Sequence, residues 1–177
     1  ESYLVYLAHL DVIGSKAKYA YSINGLLPKI GKTKRIFFKN AYHPILLVKN
    51  KEANLEVIPQ SIELNEQQQI IVISGPNAGG KSITLKTIGL LQVMLQSGIL
   101  IPVDERSETT VFDTVLTDIG DNQSIENQLS TYSYRLKNMR YFLRKCNERT
   151  LFLIDEFGTG SDPELGGALA EIFLEEL

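Results

Sequence analysis

Residues 75–82 constrain the fold of this chain more than any other segment, because they have the sequence Gly-Pro-Asn-Ala-Gly-Gly-Lys-Ser. This sequence fits the pattern G-x-x-x-x-G-K-[ST], in which glycines allow backbone N–H groups to point at phosphate oxygens. In such a loop the lysine reaches the outer phosphates and the final hydroxyl ligates Mg²⁺. The segment therefore predicts a loop that binds a nucleoside triphosphate through Lys81 and Ser82.

The residues on either side of the loop favour an α/β fold. Residues 69–74 form a mostly apolar run that predicts a buried strand, and residues 81–97 have helical periodicity and end before Gly98. A helix that begins at the loop directs the positive end of its dipole toward a bound phosphate. An ordinary glycine-rich turn does not require this order of strand, loop and helix.

Two adjacent carboxylates follow another apolar run, at residues 150–154. The run is typical of a strand buried in a mostly parallel sheet. A carboxylate at the end of such a strand can hold Mg²⁺ directly or through water, and we assign this role to Asp155. Adjacent side chains on a strand point in opposite directions, so Glu156 is predicted to polarise the water that attacks the γ-phosphate.

A group of hydroxyl residues at 129–133 precedes a helix predicted from about residue 131 to 145. Taken alone, the group predicts a helix cap. ATPases of the ABC class place a signature at this position in the chain, where it binds the γ-phosphate held by the opposite subunit. A helix N-terminus with Ser130 suits that contact. Residues 158–162 occupy the place of a loop that crosses the dimer interface.

The remaining elements complete a mixed α/β prediction. Residues 1–24 predict a helix ended by Asn24 and Gly25, and residues 111–116 predict a strand. Short apolar runs predict a small antiparallel β-layer at residues 35–40, 45–48 and 55–58. A last helix is predicted from Asp162 as its N-cap and Pro163 as its first residue to Leu177.

Composition restricts the partners and the compartment. The 177 residues carry a net charge of −3, which gives no overall attraction to nucleic acid. No apolar run approaches the roughly 20 residues that cross a bilayer, and a single cysteine suits a reducing, cytoplasmic compartment. Solvated surface is the favoured interpretation of two basic clusters, which comprise Lys29, Lys32, Lys34, Arg35 and Lys39, and Arg135, Lys137, Arg140, Arg144 and Lys145.

Five segments together resemble the MutS family of DNA-maintenance ATPases. Residues 75–87 resemble its phosphate loop, and residues 118–126 and 129–133 resemble its signature region. Residues 155–163 are similar to its Mg²⁺-binding strand and interface loop, and residues 41–46 are similar to the start of its ATPase domain. The pattern is closer to the second bacterial MutS branch, linked to suppression of recombination, than to the mismatch-repair branch.

The resemblance implies a P-loop ATPase of the ABC type that uses ATP and Mg²⁺ and acts as a homodimer with composite sites. It implies that Asn77 contacts the γ-phosphate or the attacking water, so that Asn77, Lys81 and Glu156 are the catalytic residues. Ser82 and Asp155 would hold the metal. The implied nucleotide contacts are Gly75, Pro76, Asn77, Ala78, Gly79, Gly80, Lys81, Ser82 and Ile83 of one subunit and Ser130 of the other.

The resemblance also implies a larger protein. Residues 1–25 would be the end of a lever, and residues 26–177 an ATPase domain that is incomplete at its C-terminus. The complete protein would contact DNA through a clamp and carry a C-terminal nuclease domain, and some members of the branch are associated with collided ribosomes.

The sequence departs from the family pattern at three places. The histidine that the family carries after the final helix has no counterpart here, and residues 102–105 lack the glutamine found in many ABC ATPases. No aromatic residue stands near Val57 and Ile58 to stack on adenine.

Two other functions are compatible with these motifs. In the first, ATP acts as a dimerisation switch and hydrolysis is slow or absent. In the second, the chain is the nucleotide domain of a transporter or of a chromosome-organising ATPase. The sequence Leu-Ser-Thr-Tyr-Ser at 129–133 disfavours this second function, because a glycine-rich signature is expected there.

Overall fold

The computed structural model describes residues 2–76, 79–119, 128–155 and 163–176. They pack as two units, Glu1–Val111 and Phe112–Leu177, and each unit has its own sheet. The predicted assignment of residues 1–25 to a lever concerns a larger protein and stays a prediction. None of the helices in the described ranges is both long and apolar enough to cross a bilayer.

The first unit begins with helix α1 (Ser2–Ser22). Asn24 follows with a φ of 51°, and the Gly25 N–H donates to the carbonyl of Ala20 at 2.7 Å, so the helix ends where the sequence predicts. Ala20 and Ile23 are buried, whereas the large apolar side chains of the first half of α1 are exposed. Only the C-terminal end of α1 therefore contributes to the core of this unit.

The sheet of the first unit contains β1 (Lys29–Ile30), β2 (Ile36–Ala41), β3 (Gln60–Leu64) and β4 (Glu108–Thr109). The strand order is β1-β4-β2-β3, with β2 antiparallel to both neighbours and β1 parallel to β4. Ile36 and Phe38 alternate along β2 and are fully buried, as period-two patterning requires. The antiparallel β-layer predicted from the sequence is correct around β2.

The other two runs predicted for this layer are wrong. Residues 45–48 lie in helix α2 (Pro44–Glu52), and residues 55–58 are not a strand. The Nδ1 of His43 accepts a hydrogen bond from the Leu46 N–H at 3.5 Å and caps α2. Pro44 stands at the first helical position, where its missing N–H costs nothing. His43 and Pro44 together start a helix, and this local signal determines the structure of the apolar run that follows.

Helix α3 (Lys81–Gln96) is the main helix of the first unit and agrees closely with its predicted range. Gly98 follows with a φ of 72°, the left-handed conformation that glycine adopts without strain. Ile88, Leu91, Met94 and Leu95 are buried along one face. Packing of this face fixes the direction in which the start of the helix points.

The end of α3 is joined to the end of α1. Leu26 and Ile101 form an isolated antiparallel bridge, with N–H···O distances of 2.8 and 3.0 Å. The ammonium of Lys16 donates to the carbonyl of Ser97 at 2.5 Å. A Cβ at Gly25 would come within 3.0 Å of the Leu100 carbonyl oxygen, so the two chain segments are in close contact. These contacts join the C-terminal end of α1 to the chain segment that follows α3, and this junction is the corner between α1 and α3.

The strand predicted at residues 69–74 is not formed. No strand of the described first unit pairs with this segment, and Ile70 and Val72 are 52% and 77% exposed. A strand exists only through hydrogen bonds to a neighbour, which an apolar run cannot supply by itself. The prediction of a buried strand is therefore wrong for the unit to which the segment belongs.

The second unit contains the parallel strands β5 (Thr114–Asp118) and β6 (Thr150–Ile154). Helix α4 (Gln128–Lys145) lies between them in sequence, as a parallel pair requires a long crossover. The core joins Leu116, Phe142 and Phe173, with Met139, Phe152 and Ile154 packed against it. Strand β6 has its predicted range, whereas β5 lies about two residues later than predicted.

The predicted and observed bounds of the two helices in the second unit agree at the end of α4 and at the start of α5. Helix α4 starts three residues before the predicted start at residue 131. Helix α5 (Pro163–Glu175) begins at the predicted proline and ends two residues before Leu177. Its predicted cap Asp162 lies outside the described residues. The chain is thus an α/β protein with a mixed sheet and flanking helices.

Candidate functional site

The loop before α3 turns the chain sharply into the helix. Gly80 is the N-cap, with φ 80° and ψ 12°, and the Gly79 N–H donates to the Pro76 carbonyl at 2.9 Å. Gly75 has a φ of 148°, which also favours glycine. Because Gly80 has no side chain, it cannot cap the first N–H groups of α3 with an oxygen of its own. These donors suit an external anion.

Lys81 is the first residue of α3, and its side chain folds back over the loop. Its Nζ donates to the carbonyl oxygens of Gly75 and Pro76, at 2.6 and 2.9 Å. The ammonium is therefore held at the place where the loop sequence requires a cation. The helix dipole also contributes positive potential here.

The structure describes some of the other predicted loop residues and not others. Ser82 is half-buried in the first turn of α3. The side chain of Ile83, the next residue, is 46% exposed. The structure brings Gly75, Pro76, Gly79, Gly80, Lys81 and Ser82 together around one turn. Asn77 and Ala78 lie outside the described residues, so their roles stay predictions.

A buried amide holds α3 in place, and the sequence analysis missed it. Gln92 is fully buried, and its Nε2 donates to the Thr110 carbonyl and to Gln96 Oε1, at 2.9 and 2.8 Å. Its Oε1 accepts from the buried Thr109 hydroxyl at 2.9 Å. The side chain therefore joins α3 to the end of β4. A glutamine within an otherwise apolar helix face was the available signal.

Asp155 immediately follows β6 in the second unit and is half-buried. Its N–H donates to the carbonyl of Asp118, the last residue of β5, at 2.9 Å. The two carboxylate-bearing residues thus share the C-terminal edge of a parallel strand pair, where α/β proteins bind ligands. Asp118 was not predicted as a site residue, because the sequence placed the end of β5 two residues too early.

The donor chemistry fits Mg²⁺. The Ser82 hydroxyl and the Asp155 carboxylate are hard oxygen ligands of the kind that this ion prefers. Within the described ranges, no group of three or more His, Cys, Asp or Glu side chains is arranged to hold a metal. Each of these two side chains, in its own unit, thus has the donor type that a nucleotide-bound magnesium ion uses, and a Mg²⁺ site stays a prediction.

The remaining predicted residues are only partly described. Ser130 is the third residue of α4, so its backbone lies in the first turn of that helix as predicted. Its side chain is not among those described. Glu156 and the predicted interface loop at 158–162 also lie outside the described part of the chain.

The pKa values of His43 and Asp104 are lowered, and that of Arg106, the partner of Asp104, is raised. Burial lowers the pKa of the His43 imidazole, and the Lys86 ammonium lowers it further. Arg106 binds both oxygens of Asp104 at 2.7 Å and holds the pKa of that carboxyl well below its usual range. Asp104 lies in segment 102–105, which lacks a glutamine, and its carboxylate is occupied by this arginine.

A family model described as MutS domain V matches residues 71–177. The chain belongs to the MutS family. Domain V is an ATPase domain, and proteins of this family bind DNA and act as dimers. The match includes the loop at residues 75–80, α3 and Asp155 after β6, which are the features on which the predicted nucleotide site depends.

Several curated relatives carry the name Endonuclease MutS2. The protein from Finegoldia magna is 49% identical over 164 residues, which are 93% of this chain and 20% of the relative. Those from Pediococcus pentosaceus and Enterococcus faecalis are 43% and 44% identical over 171 residues, or 97% of this chain and 21% of each relative. The predicted resemblance to the second MutS branch is confirmed. The chain spans about a fifth of the length of these relatives.

Proposed function

We propose that this chain binds ATP with Mg²⁺ and hydrolyses it as the ATPase module of a MutS-like DNA-binding protein, in the fold of ABC-type ATPases. One observation carries the proposal. Lys81 stands at the N-terminus of α3 with its Nζ held over the loop by the carbonyls of Gly75 and Pro76. This arrangement presents a cation and uncapped helix N–H groups to the same small volume, which suits a triphosphate.

The residues divide the work of phosphoryl transfer. Backbone N–H groups of Gly80, Lys81 and Ser82 bind the phosphates, and Gly79 holds the turn through its bond to Pro76. Lys81 exchanges its two carbonyl contacts for phosphate oxygens. Ser82 and Asp155 are the proposed ligands of Mg²⁺, which neutralises charge on the β- and γ-phosphates when bound. Glu156 orients and polarises the attacking water, with Asn77 beside it.

Dimerisation completes the proposed site. Ser130 at the start of α4 would contact the γ-phosphate held by the opposite subunit, so that ATP joins two chains. In the longer relatives this engagement would move an attached DNA clamp. A cytoplasmic location, a nuclease activity elsewhere in the longer protein and an association with ribosomes belong to the same proposal.

The proposal is tested by measuring ATP hydrolysis per subunit as a function of protein concentration, with Lys81→Ala as the blank. Activity per subunit that rises with concentration is expected, because each site needs residues from two chains. A constant nonzero rate would contradict the composite site. A rate equal to that of Lys81→Ala, combined with tight ATP binding by wild type alone, would make the chain a nucleotide-gated dimerisation module.

A further inference from the structure

We propose that α4 carries a nucleic-acid contact of its own, on the face that points away from the core of the second unit. This α4 basic face consists of Lys137, Arg140 and Arg144, with Tyr141 beside them. All four side chains are exposed, and Tyr141 is 52% exposed. The inference goes beyond the proposed function, since it concerns contact by this chain itself and needs neither ATP nor the clamp proposed for the longer relatives.

The packing of α4 determines which face is turned outward. Met139 and Phe142 contact the core of the second unit. With 3.6 residues per turn, positions 137, 140 and 144 lie on the opposite side of the helix from Phe142. They form a row about 10 Å long in which successive side chains are about 5–6 Å apart. A row of this length and spacing can contact successive charges of a polyanion.

Among the residues that the structure describes, nothing neutralises the charges of the α4 basic face. The sequence of α4 contains no Asp or Glu, and in the described part of the chain no carboxylate pairs with the three cations. Three arginines elsewhere, Arg35, Arg106 and Arg149, do form ion pairs. Unpaired like charges one turn apart destabilise a helix slightly. An anionic partner would remove this repulsion.

The side chain within the row favours a nucleic acid over other polyanions. Tyr141 follows Arg140 directly, and its ring contacts Phe142 at a centroid distance of 6.2 Å, which restrains it on the surface. Exposed aromatic rings beside a basic row stack on bases, whereas lysine and arginine bind the phosphates. An acidic protein surface or an anionic lipid uses the charges but has no bases to stack. The inference therefore commits to a phosphodiester backbone with accessible bases.

The test measures binding of the full chain to a fluorescent single-stranded DNA 20-mer by anisotropy, at several salt concentrations. The test variant combines Lys137→Gln, Arg140→Gln and Arg144→Gln. We expect affinity at low salt to fall at least tenfold. We also expect the slope of log K against log [salt] to become shallower by about 2, since each lost phosphate contact on a single strand removes about 0.7.

A matched control removes the same charge elsewhere. The control variant combines Lys18→Gln, Lys49→Gln and Lys51→Gln, at exposed positions of the first unit. It should change affinity by less than about twofold. Tyr141→Leu should weaken single-stranded binding with the salt slope unchanged, because stacking is not ionic. Thermal unfolding of every variant checks that the fold is retained.

Each of four outcomes in the DNA measurements would overturn the inference. These are no binding by wild type, equal binding by the α4 variant, an equal loss in the control variant, and displacement of the DNA by polyglutamate at matched charge. The last outcome would indicate an acidic protein partner. Tighter binding to phosphatidylserine vesicles than to DNA would indicate a membrane surface and would also overturn it.

Discussion

His43 performs a structural role that depends on its protonation state. Its Nδ1 accepts the Leu46 N–H at the start of α2, and only an unprotonated nitrogen can accept. Burial and the nearby Lys86 both lower the pKa of this imidazole. The neutral form is therefore favoured in the folded chain more strongly than in the unfolded chain.

A pH dependence of stability follows from this shift. The unfolded chain takes up the proton near the ordinary pKa of about 6.5, before the folded chain does. The His43 contribution to stability is thus complete above that pH and is lost as pH falls toward the lower folded pKa. Urea unfolding of wild type and His43→Asn at pH 7.5 and pH 5 measures this difference. Asparagine keeps a capping oxygen but does not titrate.

We expect wild type to lose more stability between these two pH values than His43→Asn does. His9, the acidic residues and Lys86 are present in both proteins, so their contributions cancel in the comparison. Equal losses in the two proteins would show that protonation of His43 does not weaken the cap.

Single residues also show how far the sequence alone predicts the site. The position of Lys81 and Ser82 at the start of α3 is predicted correctly, because the loop motif is contiguous, and their binding roles stay predictions. Asp118 is missed, because its proximity to Asp155 arises from the parallel register of two strands about 35 residues apart in sequence. Gln92 is missed for a similar reason, since its partners Thr109 and Thr110 belong to another element.

At the level of elements, helices are predicted better than strands. The ends of α1 and α3 are marked by Asn24 and Gly98, whose positive φ values are local signals. Strand predictions at 45–48, 55–58 and 69–74 are wrong, because an apolar run does not specify a partner. The segment at 45–48 shows the competition directly, since the cap at His43 and Pro44 starts a helix there.

The attachment of α3 to β4 can be tested through Gln92. Replacing Gln92 by Leu removes the shorter of the two hydrogen bonds of the buried Thr109 hydroxyl and the donor to the Thr110 carbonyl. This loss should lower the free energy of unfolding by about 1–3 kcal/mol. Combining Gln92→Leu with Thr109→Val removes both partners and should restore part of this loss. Urea denaturation at pH 7.5 measures both effects. A double variant that is less stable than the sum of the two single changes would contradict the role assigned to this hydrogen bond.

At the scale of the whole molecule, the proposed catalytic residues come from both units. Lys81 and Ser82 belong to Glu1–Val111, whereas Asp155 and Glu156 belong to Phe112–Leu177. The sequence identifies both sets through separate motifs, and the family match covers residues 71–177, which include them all. The sequence does not predict which strands pair with one another. Strand pairing determines the order of strands in a sheet, and no single motif encodes it.

Glu156→Gln tests the proposed division of labour in the assembled protein. Glutamine keeps the size of the side chain but cannot act as a base, so ATP binding should be retained while turnover falls by roughly 10²–10⁴. If hydrolysis is what separates the subunits, the variant should also accumulate as a dimer with ATP. Nucleotide binding, phosphate release and light scattering measure these properties, with Lys81→Ala as the variant that should not bind. Unchanged turnover would remove Glu156 from the mechanism.

The corner between α1 and α3 has a mechanical consequence. A helix of 21 residues such as α1 is about 30 Å long, and Lys16, Gly25 and Leu26 attach it near one end. If the two helices turn together about this corner, a rotation of α3 by about 5° displaces the far end of α1 by roughly 3 Å. An adjustment at the phosphate loop too small to repack the core would thus become, at the other end of α1, a movement about as large as half a helical turn.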